Sequence, residues 1–339
     1  MNILGIETSC DETSAAVLND GVLLSNVISS QVVHSVYGGI VPELASRAHQ
    51  KLIIPVIDEA LRKAGISRAD LQGIAVTYGP GLVGSLLIGL NFGKALALGL
   101  QIPFVGVNHL EGHVYSNFLS SKYGKPPEYP FVCLIVSGGH TQVLFVRAPF
   151  DHLLLGQTND DAAGEAYDKV AKMLGLEYPG GPVIDELAAE GDKNYIRFPR
   201  SYLHEDNFDF SFSGLKTAVL YYLRDTKLLH NDTLKKNRIL LANICASFQS
   251  AVLDVLVSKT IRAAQRFKVR DIAVAGGVSA NKGLRSAMLL KSEELGFRIH
   301  APQMEYCTDN GAMVAYVGWM KISRGITSPL NLSAVAHIE

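Results

Sequence analysis

Residues 3–18 read ILGIETSCDETSAAVL, and residues 131–146 read FVCLIVSGGHTQVLFV. Both stretches have the pattern of a strand, a polar turn and a second strand. Aligned without gaps, Ser9 falls on Ser137 and Thr13 on Thr141, with β-forming apolar runs on either side of each turn. We interpret the pair as an internal duplication. It predicts an α/β fold in which each half of the chain begins with the same hairpin.

The length of the chain also indicates two lobes. Its 339 residues, 48% hydrophobic and 19% charged, can bury a large core but exceed the usual size of a single one. Residues 120–130, SSKYGKPPEYP, combine serines, adjacent prolines and a glycine, which break regular structure. We therefore predict an N-terminal lobe at 1–125 and a C-terminal lobe at 126–305. Residues 306–339 are predicted to form a helix and tail that pack back on the N-terminal lobe.

Charge and cysteine content limit the partners and the compartment. The formal net charge of -1 lacks the positive field of a stand-alone nucleic-acid binder, so any RNA would be engaged locally or with help. The cysteines are far apart and form no C-x-x-C pair, which argues against a disulfide scaffold or a zinc ribbon. This pattern favours a reducing, cytoplasmic setting, and the N-terminus shows no secretory signal.

The apolar stretch Leu82 to Leu100 has the length of a membrane span. Its small residues fall at helical spacing and would allow close packing, so we predict a buried helix and no membrane contact. These small residues are Gly84, Ser85, Gly89, Gly93 and Ala97.

The two repeated turns are candidates for anion binding. TSCDET at 8–13 and VSGGHT at 136–141 are rich in small and hydroxylated residues, whose backbone N–H groups and hydroxyls can contact a phosphate. Either turn alone is more simply an ordinary hairpin, but the duplication favours a function. There is no P-loop, because Gly89 is followed by Leu90 rather than by Lys-Ser or Lys-Thr, and no G-x-G-x-x-G closes the first strand.

A glycine pair near the end of the chain is a further candidate. In AGGVSANKGLR, residues 275–285, a strand-like run leads into Gly276 and Gly277, and Ser279 to Asn281 then open a helix. Backbone without side chains could approach a nucleoside closely.

The hexapeptide NHLEGH, residues 108–113, places two histidines four residues apart. On a helix, this spacing puts the imidazoles of His109 and His113 on one face, as a metal site requires. Packing on a helix surface explains the pair equally well. The motif is not H-E-x-x-H, because Glu111 comes two residues after His109 and would point away from the shared face.

Several acidic residues have simple structural interpretations. Asp309, in CTDNGAMVA, precedes the last long apolar helix, and an N-cap by Thr308 or Asp309 is compatible with metal binding. Spacing alone cannot connect Asp309 to the histidines. Asp160 and Asp161, before AAGEAYDK, are better explained as helix caps than as catalysts. Lys216 in FSFSGLKTA is either close to a ligand or solvated.

Together, NHLEGH, VSGGHTQ and AGGVSAN make the chain resemble the universal threonylcarbamoyl-tRNA transferase family, known in bacteria as TsaD and formerly named O-sialoglycoprotein endopeptidases. IETSCDET, DDAAGEAYDK, YPGGP, FSFSGLKTA and CTDNGAMVA occur in the family order, so the resemblance runs almost end to end. It implies a two-lobed actin-like and hexokinase-like (ASKHA) fold with duplicated lobes. The repeated turns would then bind phosphate, and AGGVSAN would bind adenosine.

The resemblance also implies the residues of the site. One divalent metal per chain, iron (Fe2+) in preference to zinc, would be bound by His109, His113 and Asp309. Asp11 and Glu12 would lie beside the reacting centre as catalytic residues. The residues that would bind threonylcarbamoyl-AMP are Val136, Ser137, Gly138, Gly139, His140, Asp168, Gly181, Asp185, Gly277 and Asn281.

The implied reaction transfers threonylcarbamoyl from threonylcarbamoyl-AMP to the exocyclic amine of adenosine 37, next to the anticodon, in tRNAs that read codons beginning with A. The metal would orient the adenylate and offset developing charge, and Asp11 or Glu12 would accept the amine proton. The implied protein partners are a paralogous actin-like subunit (TsaB-like) and a small P-loop ATPase (TsaE-like).

Two other classes of protein remain open. A metallopeptidase would agree with the histidine pair and the older family name, but the chain lacks the general-base glutamate of H-E-x-x-H. A non-catalytic nucleotide-binding subunit should lack the histidine pair, which this chain has.

Overall fold

The structure is a computed structural model that describes residues 1–31, 39–119, 125–201, 206–229, 234 and 236–338. It divides into two compact units, one formed by Met1–Gly124 with Pro302–Glu339 and the other by Lys125–Ala301. The chain therefore returns to the first unit at its end. Of the predicted boundary segment 120–130, residues 120–124 lie outside the described residues.

Strands and helices alternate along most of the chain. The strands are β1 (Asn2–Glu7), β2 (Glu12–Asn19), β3 (Val22–Ser30), β4 (Gly73–Gly79), β5 (Phe104–Asn108), β6 (Phe131–Val136), β7 (Thr141–Ala148), β8 (Asp151–Gln157), β9 (Asp271–Ala275) and β10 (Arg298–His300). The α-helices are α1 (Pro42–Ala64), α2 (Val83–Leu100), α3 (His109–Tyr115), α4 (Ala163–Leu174), α5 (Gly180–Ala188), α6 (Ser213–Asp225), α7 (Arg238–Phe267), α8 (Lys282–Leu295) and α9 (Gly311–Ile322).

The two units contain sheets of the same topology. Within the described residues each sheet has five strands, in the orders β3-β2-β1-β4-β5 and β8-β7-β6-β9-β10. In both, the first two pairs are antiparallel and the last two are parallel. Ile3 pairs with Leu18 in one hairpin, and Phe131 pairs with Val146 in the other. These are equivalent positions of the aligned sequences, so the predicted duplication is confirmed.

The last helix, α9, completes the core of the first unit. It packs against β1, β2 and β4, with Met313, Val314 and Val317 fully buried. The approach is so close that a Cβ atom on Gly5 would overlap the backbone of Ala315 and one on Gly318 would overlap Ala75. Such contacts exclude any larger residue, because interiors are packed without spare volume. The beginning and the end of the chain thus share one core.

Helix α2 matches the predicted apolar helix and packs against β4 and α1. A Cβ atom on Gly89 would overlap the Thr8 hydroxyl, and one on Gly93 would overlap Val76, so these small residues do allow close packing. By length and hydropathy alone, α2 and α7 would both qualify as membrane spans. Packing inside its unit accounts for the apolar sequence of α7, which is 72% buried. Helix α2 is only 33% buried and exposes Val83, Leu87 and Leu98, so the prediction of a buried helix holds for one face of α2 alone.

A tail follows α9 along the edge of the first sheet. The backbone N–H of Ser328 donates to Phe104 O on β5 (2.8 Å), and that of Val335 donates to Tyr78 O on β4 (2.9 Å). The N–H of Gly81 then donates to Ala336 O (3.2 Å). The tail therefore covers part of an edge strand that would otherwise expose unpaired backbone groups.

Candidate functional site

The two histidines of NHLEGH lie on a short helix that begins where β5 ends. The Asn108 side chain caps α3 by accepting a hydrogen bond from Leu110 N (2.9 Å), which starts the helix directly at His109. His109 and His113 are both buried, and their ring centroids are 4.7 Å apart. The predicted placement of both imidazoles on one helix face is confirmed.

The Asp309 side chain lies beside the two histidines although it is distant from them in the sequence. Its Oδ1 atom lies 3.1 Å from His113 Nε2 and 3.4 Å from His109 Nε2. The predicted N-cap by Thr308 or Asp309 is wrong, since Asn310 caps α9 by accepting from Met313 N (3.0 Å). The Asp309 carboxylate is therefore available to face the imidazoles.

The three side chains fit a divalent metal. Their ligand atoms all lie within 4.8 Å of one another, close enough for one ion to bind all three. Two imidazole nitrogens and one carboxylate oxygen form a mixed donor set that suits iron or zinc and leaves coordination positions open. With the neighbouring Glu7 the site holds two carboxylates, whose charge a cation would offset.

A second layer of contacts holds His109 from behind. Its Nδ1 atom is 3.2 Å from Glu7 Oε2 and 3.1 Å from Ser9 Oγ. Burial alone would lower the pKa of His109, but the charges of Asp309 and Glu7 outweigh it and raise the pKa to about 9. Burial acts to raise the pKa of Glu7, whereas the stronger combined effect of His109 lowers it.

The proposed catalytic acids lie at the first repeated turn. Asp11 is in the turn between β1 and β2, and Glu12 is the first residue of β2. Burial raises the pKa of Glu12 to about 10, and the charges of Asp309 and Asp11 add to this effect. The first turn and Asp309 are thus electrostatically connected. A cation held by Asp309 would oppose the rise and favour the ionised form of Glu12.

Glu111 points away from the histidine face, as predicted. Its carboxylate pairs with Lys321 Nζ on α9 at 2.7 Å, and both side chains are largely buried. The glutamate between the histidines is therefore held in an ion pair, away from the imidazole face where a hydrolytic base would stand.

In the second unit, the turn after β6 presents open backbone. Ser137 N donates to His140 O (2.8 Å), and His140 N donates to Ser137 Oγ (3.1 Å), which fixes the turn. Apart from the chain neighbours of each glycine, no atom of the described residues lies within 4 Å of where a Cβ would stand on Gly138 or Gly139. Gly164 N at the start of α4 donates to Ser137 O (3.1 Å). The predicted phosphate turn therefore has accessible N–H groups at its tip.

The polar residues predicted to bind the adenylate also hold local backbone. Asp168 Oδ1 accepts from Gly180 N (2.8 Å), and burial raises the pKa of this carboxyl. Asp185 accepts from the N–H groups of Lys282 (2.8 Å) and Gly283 (3.1 Å) at the start of α8. Asn281 is the N-cap of the same helix. Gly181 lies on α5, one turn before Asp185.

Gln249 joins these side chains and was missed by the sequence analysis. Its Nε2 atom donates to Asp185 Oδ1 (3.0 Å), while its Oε1 atom accepts from Tyr167 OH (3.0 Å) and Asn281 Nδ2 (2.9 Å). Gln249 is buried in the middle of α7. An amide within the apolar run ICASFQSAVLDVLV is the sequence signal that could have identified it, because buried polar groups need partners.

The two glycines that follow β9 have different roles. Gly276 has φ +86°, and a Cβ there would lie 2.5 Å from Val136 O, so it sets the close approach of this loop to β6. Gly277 begins a short 3-10 turn, Gly277–Ala280, that leads into α8. The loop thus brings the predicted adenosine motif beside the end of β6 and the turn that follows it.

The other acidic pair has structural partners. Asp160 accepts from the N–H groups of Phe212 (2.8 Å) and Ser213 (3.2 Å), so it caps α6. The prediction of a helix cap is confirmed for Asp160, although the capped helix is α6 and not α4, whose N-cap is Ala162. Asp161 pairs with Lys216 Nζ (2.6 Å), so Lys216 is not simply solvated.

Comparisons with known proteins agree with the sequence motifs. A family model described as "TsaD: tRNA N6-adenosine threonylcarbamoyltransferase" matches residues 22–316. The protein of that name from Salinibacter ruber is 53% identical, with 100% of both chains covered. The one from Porphyromonas gingivalis is 50% identical and covers 99% of this chain and 98% of its own.

Solved structures of lower identity share the fold. The activator of 2-hydroxyisocaproyl-CoA dehydratase from Clostridium difficile, with bound ADPNP, is 14% identical with a TM-score of 0.54, covering 97% of this chain and 99% of its own. HypF from T. kodakarensis is 15% identical with a TM-score of 0.62, covering 96% of this chain and 48% of its own. These likenesses confirm the predicted α/β fold of the actin-like and hexokinase-like (ASKHA) class.

Proposed function

The chain belongs to the TsaD family of tRNA N6-adenosine threonylcarbamoyltransferases, and from this premise we propose how its residues carry out that reaction. It transfers threonylcarbamoyl from threonylcarbamoyl-AMP to the exocyclic amine of adenosine 37 in tRNAs that read codons beginning with A. The single observation that carries the proposal is the convergence of His109, His113 and Asp309.

The metal is held by these three residues, with one ion per chain and Fe2+ as the native metal. A divalent cation held there would supply Lewis-acid chemistry that offsets negative charge developing during the transfer. The donor set supports iron and zinc alike, and the choice of iron follows the family resemblance. Because Oδ1 of Asp309 faces both imidazoles, loss of this carboxylate removes the negative ligand of the set.

The adenylate is held by the second unit. We assign phosphate binding to the backbone N–H groups of the turn Val136 to His140, which are accessible at Gly138 and Gly139. We assign nucleoside binding to the loop at Gly277, to the backbone at Gly181 and to three polar side chains. These side chains are Asp168, Asp185 and Asn281.

The transfer needs a proton acceptor and a leaving group. The adenosine amine forms a bond to the carbamoyl carbon, the bond from that carbon to the phosphate oxygen breaks, and AMP leaves. We propose that Asp11 or Glu12 accepts the proton that the amine loses. The raised pKa of Glu12, about 10, favours Asp11 as acceptor unless a cation at Asp309 lowers it.

Partner proteins complete the reaction. We propose a cytoplasmic complex with a TsaB-like actin-like subunit and a TsaE-like P-loop ATPase. With a net charge of -1, the isolated chain should bind tRNA weakly and in a salt-sensitive manner, and the assembled complex should bind it more tightly.

The test is a complete reaction with threonylcarbamoyl-AMP, the partner proteins and unmodified tRNA. Mass spectrometry of the tRNA nucleosides should show threonylcarbamoyladenosine, and a glycoprotein incubated with the metal-loaded chain should stay intact. Cleavage of the glycoprotein that His109→Ala abolishes, with no modified nucleoside formed, would falsify the transferase assignment and support a metallopeptidase. The ion pair of Glu111 with Lys321 argues against that outcome.

A further inference from the structure

We propose that Glu7 is a positioning residue for the metal site: it keeps a proton on Nδ1 of His109 and so leaves Nε2 free to bind the cation. The inference rests on the metal site proposed above but concerns a residue outside the three ligands. Glu7 ends β1 and is fully buried, at 0% exposure. A carboxylate at such a position must have hydrogen-bond partners, because burial without them is costly.

The partners of Glu7 fix its orientation. Oε1 accepts from the backbone N–H of Ser9 (2.6 Å), and Oε2 accepts from the Thr77 hydroxyl (2.6 Å). With both oxygens held, Oε2 still has room for a further donor, and His109 Nδ1 lies 3.2 Å from it. An ionised carboxylate is an acceptor only, so this contact requires the proton to be on Nδ1.

The proton on Nδ1 decides what Nε2 can do. An imidazole that binds a metal through Nε2 carries its one remaining N–H on Nδ1, the atom that faces Glu7. His109 Nε2 is the atom that faces Asp309, at 3.4 Å. Hydrogen bonds from the outer nitrogen of a ligating histidine to a carboxylate fix the tautomer and raise its basicity. Ser9 Oγ, 3.1 Å from the same Nδ1, is a weaker, uncharged alternative acceptor.

The second histidine has no comparable support. Within the described part of the chain, His113 Nδ1 is buried and has no hydrogen-bond partner. Between the two imidazoles, only the His109 ring is therefore oriented by a carboxylate behind it. Loss of the Glu7 carboxylate should for this reason weaken metal binding through the His109 ring.

Glu7→Gln tests this role because the amide cannot replace both oxygens. The backbone N–H of Ser9 is a fixed donor, so the amide oxygen must take the place of Oε1. The amide NH2 then takes the place of Oε2 and donates towards His109 Nδ1, which moves the imidazole proton to Nε2. The expected zinc affinity, measured by competition with a chelator, is about 10- to 100-fold lower than in the wild-type chain.

The matched control is Glu111→Gln. It removes one negative charge from the helix that carries the two histidine ligands, at a carboxylate that pairs with Lys321 and not with an imidazole. Its zinc affinity should stay within about twofold of wild type, since outer-shell effects require contact with a ligand. Nitrogen-15 NMR of histidine-labelled, zinc-loaded protein gives a second readout: the proton of His109 should be on Nδ1 in wild type and in Glu111→Gln.

A second variant, which retains the Glu7 carboxylate, keeps the proposal testable if Glu7→Gln does not fold. Thr77→Val removes the hydroxyl that orients Oε2 and should weaken zinc binding by a smaller factor, about two- to fivefold. If the wild-type chain binds zinc, and Glu7→Gln has the same zinc affinity and keeps the proton on Nδ1 of His109, the role of Glu7 is wrong but the metal site stands. A wild-type chain that binds no zinc would overturn the metal site itself, and this inference with it.

Discussion

The carboxylate oxygen Oδ1 of Asp309 lies 3.1 Å from Nε2 of His113, although the two residues are 196 positions apart in the chain. The contact exists because α9, which Asp309 precedes, packs against α3, which carries the histidine. The candidate metal site is therefore a product of the tertiary structure of the first unit.

Replacing both histidines should remove the metal without unfolding the chain. The double variant His109→Ala, His113→Ala retains only one of the three ligands, the Asp309 carboxylate. Elemental analysis should therefore find only a background amount of metal, instead of one ion per chain. His337→Ala, at an exposed histidine of the tail, is the control and should retain the full amount. A folded double variant that keeps a full equivalent would show that the metal lies elsewhere.

Gln249→Leu should weaken nucleotide binding. The substitution leaves Asp185, Asn281 and the Tyr167 hydroxyl each without one buried partner. We expect a loss of about 1–3 kcal/mol in binding of a stable adenylate analogue, or about tenfold in Kd for each 1.4 kcal/mol, measured by calorimetric titration.

Gln265→Leu is the matched control for that prediction, since it makes the same change at an exposed position of the same helix. Its affinity should equal that of the wild-type chain. Equal affinities in all three proteins would show that the contacts of Gln249 do not organise a nucleotide site.

Gly276→Ala should destabilise the second unit more than Gly296→Ala. Both glycines have positive φ, +86° and +76°, so alanine is strained at either position. A Cβ on Gly276 would also lie 2.5 Å from Val136 O, whereas one on Gly296 would have no atom of the described chain within 4 Å beyond its own chain neighbours. We expect a loss of unfolding free energy of about 1 kcal/mol at Gly296 and about 3 kcal/mol or more at Gly276, measured by urea denaturation. Similar losses at the two sites would contradict the close approach of the loop to β6.

Asp161→Asn should reduce stability at neutral pH and less so in acid. Burial acts to raise the pKa of Asp161, but the paired lysines Lys169 and Lys216 outweigh it and lower the pKa. Because the pKa is lowered in the folded state, the ion pairs stabilise the fold fully at pH values above the ordinary pKa of an aspartate. This stabilisation is lost as the pH falls through the lowered pKa.

The measurement for Asp161 is the difference in Tm between variant and wild type from pH 7 to pH 3. That difference should shrink as the pH falls. Asp225→Asn removes an exposed pair with Arg224 and should show a small difference at every pH. A difference for Asp161→Asn that is constant across the range would indicate packing rather than charge as the cause.

The sequence predicts the sheets well because their strands repeat. The alignment put Ser9 on Ser137 and Thr13 on Thr141, and the structure gives both hairpins the same register, with Ile3 paired to Leu18 and Phe131 to Val146. Strand pairs close in the chain depend on turn chemistry and apolar alternation, which the sequence shows directly. Helix α2 was equally clear from its small and apolar residues. Local patterns were sufficient for each of these elements.

The contacts between distant side chains were less accessible. Spacing indicated that His109 and His113 share a face, but only the resemblance connected them to Asp309. Asp160 caps a helix 52 positions further along the chain, and Gln249 meets Asp185 across 64 positions. Such pairs depend on how helices pack in three dimensions, which periodicity within a single segment does not encode.

The return of the chain to its first unit has a consequence for protein synthesis. Residues 125–301 form a continuous unit, and a ribosome completes them before it reaches residues 302–338. Until then, the apolar face of β1 and β4 lacks α9, and the histidines lack Asp309. The core of the first unit can therefore close only after α9 has been synthesised, later than every residue of the second unit, and His109 and His113 meet Asp309 only then.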